Sequence, residues 1–127
     1  MGTCLFAWAV GLTSVLILVG TPQSFAGEGR LTGAHVTEHF SGARIYARTQ
    51  FGEYLVDYKP NGEMMGADRN GADIGRWWVK ENSLCRIWKR WNDGEVACFD
   101  IVIEGNTATW LKAGTKTVLD STTAPKK

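Results

Sequence analysis

The first 26 residues lack every charged side chain and every histidine, whereas the rest of the 127-residue chain carries all 14 basic and all 13 acidic residues. Residues 4–20 are almost wholly apolar, and a glycine and a proline end this run. Ser24 and Ala26 place small residues where a signal peptidase reads the chain, so we predict a signal peptide over residues 1–26, cleaved after Ala26. The run is slightly shorter than the roughly 20 residues of a membrane helix, and a retained anchor is the alternative.

A large charge of one sign is also absent, because the net charge is +1 and basic and acidic residues alternate along the chain. Proteins that bind nucleic acid usually carry a strongly basic face. We therefore predict no nucleic-acid partner. The predicted location is the periplasm or the medium, with no membrane contact after signal cleavage, and the predicted state is a monomer.

Cysteine is scarce as well. Of 3 cysteines, Cys4 lies in the signal segment, so Cys85 and Cys98 alone remain in the exported chain. Such a pair usually forms a disulfide in an oxidising compartment, and two buried free thiols are the alternative. A tight turn at 93–94 would place Cys85 opposite Val102. Pairing with Cys98 requires a four-residue loop over 90–93 or a bulge, which we expect.

One short helix is predicted at the start of the exported chain. Thr32 is a good N-cap residue, and Leu31 and Val36 have the spacing of a hydrophobic staple. Ser41-Gly42 supplies the stop. We predict a helix over residues 33–40 whose apolar face closes one end of a sheet or barrel.

From residue 43 onward, apolar residues recur with a period of two, and turn residues interrupt them about every ten positions. The turn 59–62 predicts a bulged hairpin, and residues 67–72 are predicted to form a polar loop. The pattern predicts an all-β domain over residues 27–119, built as an up-and-down β-barrel or barrel-like meander of about eight strands. A two-sheet sandwich is the alternative. Residues 120–127 are predicted to be a disordered tail.

Several short motifs along the exported chain resemble those of a family of small exported alphaproteobacterial proteins of unknown function. The matching elements are Leu31-Thr32 and Ser41-Gly42 around the helix, Tyr58-Lys59-Pro60-Asn61-Gly62, Gly75-Arg76-Trp77-Trp78-Val79, Leu84-Cys85 and Cys98-Phe99. The resemblance implies export and a single β-rich domain with one disulfide. It carries no catalytic residue.

The string His35-Val36-Thr37-Glu38-His39 fits the H-x-x-E-H pattern of inverted zinc proteases. Histidines four residues apart lie on one helical face, as two zinc ligands require. However, the predicted helix is short and no second helix offers a third ligand. We interpret this string as a solvated helix face and predict no metal site.

Other enzyme-like signals are weaker. Asp68, Asn70 and Asp73 suggest calcium, but their spacing departs from the EF-hand pattern, and a polar turn is the better interpretation. Ser41 and Ser83 stand at turn positions without a nucleophile motif. We predict a protein that is not an enzyme and needs no cofactor.

The strongest functional signal is the interleaving of tryptophan with basic residues on two consecutive predicted strands. If Trp77 and Val79 point inward, the interleaved residues form one outward face, and they are Arg76, Trp78, Lys80, Arg86, Trp88 and Arg90. Such a face can bind an unknown protein or an anionic envelope polymer, or it can simply stabilise the sheet.

We therefore hypothesise a non-enzymatic binding module of the cell envelope. A small-ligand barrel with a cavity lined by aromatic residues is the first alternative, and those residues are Tyr54, Tyr58, Trp77 and Trp110. An inhibitor of exported proteases is the second alternative, by analogy alone.

Overall fold

The computed structural model describes Gly2, residues 29–50 and residues 52–127. Apart from Gly2, the predicted signal peptide, its cleavage after Ala26 and Cys4 lie outside the described residues. Among the described residues, no helix has the length and apolar character needed to cross a membrane.

The described chain forms one helix followed by eight strands in a single antiparallel sheet whose strand order is the sequence order. The helix is α1 (Gly33–Phe40), and the strands are β1 (Ala43–Thr49), β2 (Gly52–Tyr58), β3 (Glu63–Asp68), β4 (Gly71–Lys80), β5 (Ser83–Trp88), β6 (Ala97–Glu104), β7 (Thr107–Lys112) and β8 (Val118–Thr123). The sheet curls until it is nearly closed into a barrel, which confirms the predicted all-β meander.

The first strand meets the last strand and the residues that follow it through a few contacts. Arg44 and Lys126 exchange two backbone hydrogen bonds of 2.8 and 3.0 Å, and the Tyr46 amide donates to Thr123 Oγ1 at 2.9 Å. The predicted disordered tail is therefore wrong. Thr122 is buried and accepts a 2.8 Å hydrogen bond from Trp110 Nε1, so residues after 119 are held by the core.

The predicted polar loop over 67–72 is also shorter than expected. β3 continues to Asp68 and β4 begins at Gly71, which leaves a two-residue turn. Asp68 Oδ1 accepts from the Asn70 amide at 2.8 Å, and Gly71 has a φ of 141°, a value that side chains disfavour. A local hydrogen bond and one glycine thus replace the loop with a tight hairpin.

Helix α1 has the predicted bounds and N-cap, since Thr32 Oγ1 accepts from the His35 amide at 3.4 Å. Val36 and Phe40 are fully buried. The Phe40 ring packs edge-on against Tyr58 and Trp110, with centroid separations of 5.3 and 5.5 Å. We call the end that α1 covers the closed end and the opposite end the mouth.

Large side chains fill the barrel interior beneath helix α1. Tyr58 contacts Trp77 edge-on at 5.7 Å and stacks on Trp110 at 6.5 Å, and all three residues are buried. These rings pack against one another, so they do not line a central cavity of the kind proposed for a small-ligand barrel.

The disulfide joins Cys85 and Cys98, which stand directly opposite each other on β5 and β6 with an S–S distance of 2.06 Å. The next pair, Arg86 with Ala97, is the last between these strands. The predicted disulfide is confirmed, but the predicted four-residue loop over 90–93 is wrong, because the connection between β5 and β6 is longer. This loop runs over residues 89–96 and includes a 3₁₀ turn (Trp91–Gly94).

Candidate functional site at the mouth of the barrel

The predicted face of interleaved tryptophan and basic residues does not exist as one surface. Lys80 pairs with Ser83, so the turn between β4 and β5 contains only two residues, and Gly75 faces Trp88 while Trp77 faces Arg86. One shared outward face would need Arg86 opposite Trp78, which a three-residue turn would give, but Trp78 pairs with Cys85. A shift of one residue moves every side chain of a strand to the other face of the sheet.

The six predicted site residues therefore divide into three places. Trp78 is 38% exposed on the outer face, between the exposed Arg76 and Lys80. Trp88 is 6% exposed and points inward with Arg86, as does Trp77, whose predicted burial is confirmed. Arg90 lies in the 89–96 loop, outside both groups.

Arg86 is the most unusual of these residues because its guanidinium lies inside an aromatic cage. Nη1 donates a 2.9 Å hydrogen bond to the Tyr58 hydroxyl. The guanidinium carbon lies 4.8, 5.1 and 5.8 Å from the ring centroids of Phe99, Trp110 and Trp88, within the range of cation–π attraction. No carboxylate oxygen of the described residues lies within 4.0 Å of its nitrogens.

The electrostatics of this cage keep the cation charged. Burial opposes the charged form of Arg86, but Tyr58, Tyr54 and Asp120 raise its pKa, and the net change is upward. Burial raises the pKa of Tyr58, and burial together with a hydrogen bond to Asp120 raises the pKa of Tyr54. The cage thus holds a guanidinium cation beside two neutral phenols.

A cavity of about 250 Å³ opens above Arg86 at the mouth. It exists because β6 extends past β7, whose last pair with β6 is Lys112 with Phe99. At the rim, Leu119 is 52% exposed beside a register irregularity between β7 and β8. The lining residues are Arg86, Trp88, Asn92, Ala97, Phe99 and Leu119.

The loop over residues 89–96 covers part of the mouth and is anchored by Asp73. This carboxylate accepts hydrogen bonds from the Arg90 and Trp91 amides at 2.9 and 2.8 Å. Burial opposes ionisation of Asp73, but these amide hydrogen bonds lower its pKa. The Trp91 ring then rests on Trp88, with centroids 4.8 Å apart, and on Gly66, where a Cβ would lie 2.3 Å from the ring.

The remaining sequence motifs do not converge on a site. His35, Glu38 and His39 are exposed on α1. Asp73, one member of the suggested calcium loop, is occupied by the amides of the 89–96 loop. In residues 29–50 and 52–127, no group of three or more metal-ligating side chains could hold an ion.

The alternation of residues along β5 does not by itself show that Arg86 points inward. Leu84 has the same parity on its strand as Arg86 and Trp88, and Leu84 is fully buried. Cys85 and Ile87 form the opposite set, which is also apolar, and Cys85 is fully buried as well, so alternation along β5 does not indicate which side faces the core.

No protein-family model, curated protein or solved structure matches this chain. The function therefore has to be argued from the geometry of the mouth and the barrel surface.

Proposed function

We propose that this protein is an exported, non-enzymatic binding module whose barrel mouth holds a small organic anion on Arg86. The observation that carries the proposal is a guanidinium at the base of a 250 Å³ cavity with one hydrogen-bond acceptor and no carboxylate partner among the described residues. Support for export comes from the disulfide and from the charge-free segment over residues 1–26.

A half-buried cation with no carboxylate within 4.0 Å loses hydration that the protein only partly replaces, although Asp120 attracts it from farther away. The aromatic cage offsets some of this loss, but a guanidinium has five N–H donors, and Tyr58 accepts from one nitrogen. A carboxylate or phosphate entering the cavity would accept two parallel hydrogen bonds from such a fork. The site therefore favours an anionic ligand.

The walls of the cavity determine what the uncharged part of the ligand can be. Trp88, Phe99 and Leu119 present apolar surface to the cavity, so a flat or aliphatic group fits beside the anionic group. The volume lies below the roughly 300–1,000 Å³ of sites for drug-sized molecules, which favours a small ligand. Tyr54 and Tyr58 have raised pKa values and stay protonated. Neither supplies a general base at neutral pH, which favours binding over catalysis.

The proposal is tested with benzoate, inorganic phosphate and neutral benzamide as probes. Benzoate is expected to quench tryptophan fluorescence and raise the Tm, because a ligand at a hundred times its Kd stabilises the folded state by about 2.7 kcal/mol. Benzamide has the same shape without the charge and is expected to bind more weakly. A binding free energy of about 4 kcal/mol corresponds to a Kd of about 1 mM. The proposal is therefore wrong if neither anion binds at about 10 mM.

The decisive variant is Arg86→Met, which replaces the cation by an apolar side chain. Benzoate binding is expected to fall about 10- to 100-fold, the equivalent of a charged hydrogen bond of about 1.5–3 kcal/mol. Arg76→Met removes an exposed cation on the outer face and serves as the matched control. Equal binding by both variants would contradict an Arg86 site.

A further inference from the structure

A second surface lies on the outer side of the same strands, and it shares no side chain with the Arg86 cavity. We call it the outer patch. Its residues are apolar and basic side chains of β3, β4 and β5 together with the first residue of the 89–96 loop. They are Met65, Ile74, Arg76, Trp78, Lys80, Ile87 and Lys89.

The strand register brings the apolar members together. Met65 stands opposite Ile74, and the Lys89 amide donates to the Ile74 carbonyl oxygen at 2.9 Å. Ile74 is 57%, Met65 39% and Trp78 38% exposed. Single exposed apolar residues are normal, but Met65 and Ile74 are cross-strand neighbours, and Trp78 lies four residues farther along β4 on the same face. Several exposed apolar side chains on one face of a sheet are typical of an interaction site.

The basic members alternate with the apolar ones along β4, and Lys89 lies beside Ile74. Arg76, Lys80 and Lys89 are exposed, and no described carboxylate lies within 4.0 Å of them. Two acidic residues stand in register beside the patch, and each has a cation of its own. Glu63, opposite Arg76, lies 4.0 Å from Lys59 Nζ, and Asp57, opposite Met65, is paired with Arg44. The outer patch therefore combines exposed apolar side chains with a positive charge.

We propose that the outer patch binds the surface of a bilayer rich in anionic phospholipid. Each cation near such a surface contributes about 1 kcal/mol, and tryptophan and aliphatic side chains gain further by entering the headgroup region. A soluble acidic polymer would engage the cations but gain little from Ile74. The proposal replaces the expectation that the exported chain makes no membrane contact, because that expectation did not include Met65, Ile74 or Lys89.

The test is co-sedimentation of the protein with phosphatidylglycerol vesicles and with neutral phosphatidylcholine vesicles. We expect binding to the anionic vesicles, weaker binding to the neutral ones, and release by high salt. Lys89→Ala is expected to weaken binding about fivefold, which corresponds to one cation at the surface. Ile74→Asn is expected to weaken it by a similar factor.

Two matched controls lie elsewhere on the barrel. Val118→Asn changes a side chain that is 59% exposed, close to the 57% of Ile74, and Lys112→Ala removes an exposed cation away from the patch. Both are expected to bind vesicles like the unchanged protein. Thermal unfolding confirms that each variant is folded.

The proposal is overturned if anionic vesicles do not bind, or if the control variants weaken binding as much as the patch variants do. Binding to soluble dextran sulfate that equals vesicle binding and ignores Ile74→Asn would indicate an acidic polymer instead. Arg86→Met is expected to bind vesicles normally, so failure of this proposal and failure of the anion site can be told apart.

Discussion

The two ends of the barrel use the same sheet and differ in what covers them. At the closed end, α1 inserts Phe40 between Tyr58 and Trp110, and its two apolar residues Val36 and Phe40 are fully buried. At the mouth, a loop held by Asp73 covers the opening only in part, and a cation lies beneath it. A short barrel can thus bury its core from one end and keep the other end free for a charged group.

The largest expected effect comes from removing the buried Phe40 ring that closes the barrel at the closed end. Phe40→Ala deletes a fully buried ring and is expected to lower the free energy of unfolding by about 3–5 kcal/mol. Trp91→Ala, at the mouth, removes a partly exposed ring and is expected to cost less than half of that. Urea denaturation measures both variants, and equal losses would contradict the difference between the two ends.

Removal of the disulfide is expected to cause the next largest loss of stability. Replacing Cys85 and Cys98 together by serine opens a link between residues 13 positions apart, and about 3 kcal/mol of stability is expected to be lost. Because the link lies next to the mouth loop, hydrogen exchange is expected to accelerate first over residues 89–96. Faster exchange in α1 than in this loop would contradict the expectation, because it would show that the closed end is destabilised more than the mouth.

The anchor of the mouth loop has a smaller expected effect. Asp73→Asn keeps the shape of the side chain but weakens its two amide hydrogen bonds, at an expected cost of about 1–2 kcal/mol. The mouth loop should become more mobile, so the fluorescence change on benzoate binding should decrease. Asp68→Asn, on the exposed turn, is the control and is expected to change stability by less than about 0.5 kcal/mol.

The smallest expected effect is a pH dependence carried by Asp100, which ties together three segments that are far apart in sequence. Burial opposes its ionisation, but hydrogen bonds from Ser83, Gly114 and Arg30 lower its pKa below the usual value. A lowered pKa contributes stability above the unfolded-state value of about 4, and this stability is lost as the pH falls through the folded-state pKa.

Denaturation between pH 5 and pH 2 measures this dependence. The slope attributable to one carboxyl is at most about 1.4 kcal/mol per pH unit. Asp100→Asn should remove the contribution of Asp100 to the slope of unfolding free energy against pH and leave the contribution of Asp73. An unchanged slope in the variant would show that other carboxyl groups govern the acid transition.

Features that depend on neighbouring residues were predictable from the sequence. The bounds of α1, its Thr32 cap and the disulfide all follow from local signals, and each is present. The up-and-down strand order was also predictable, because short polar turns separate alternating runs.

The direction of the Arg86 side chain was not predictable from periodicity by itself. Alternation along a strand assigns residues to two sides, but it does not state which side faces the core. The two-residue turn before β5 sets the register that points Arg86 and Trp88 into the barrel. A turn of three residues would point both side chains to the outer face.

By itself, the sequence determined the class of the fold, the helix that closes one end and the pair of cysteines, since these depend on local periodicity, capping and composition. Tertiary structure alone decided three further features: the ordering of the tail, the caging of Arg86 and the division of the predicted binding residues between two faces. The Thr122 hydroxyl meets Trp110, and the Arg86 guanidinium meets Phe99 and Trp110, only after distant strands have paired. Contacts between residues far apart in sequence are set by register and barrel closure, which no local pattern encodes.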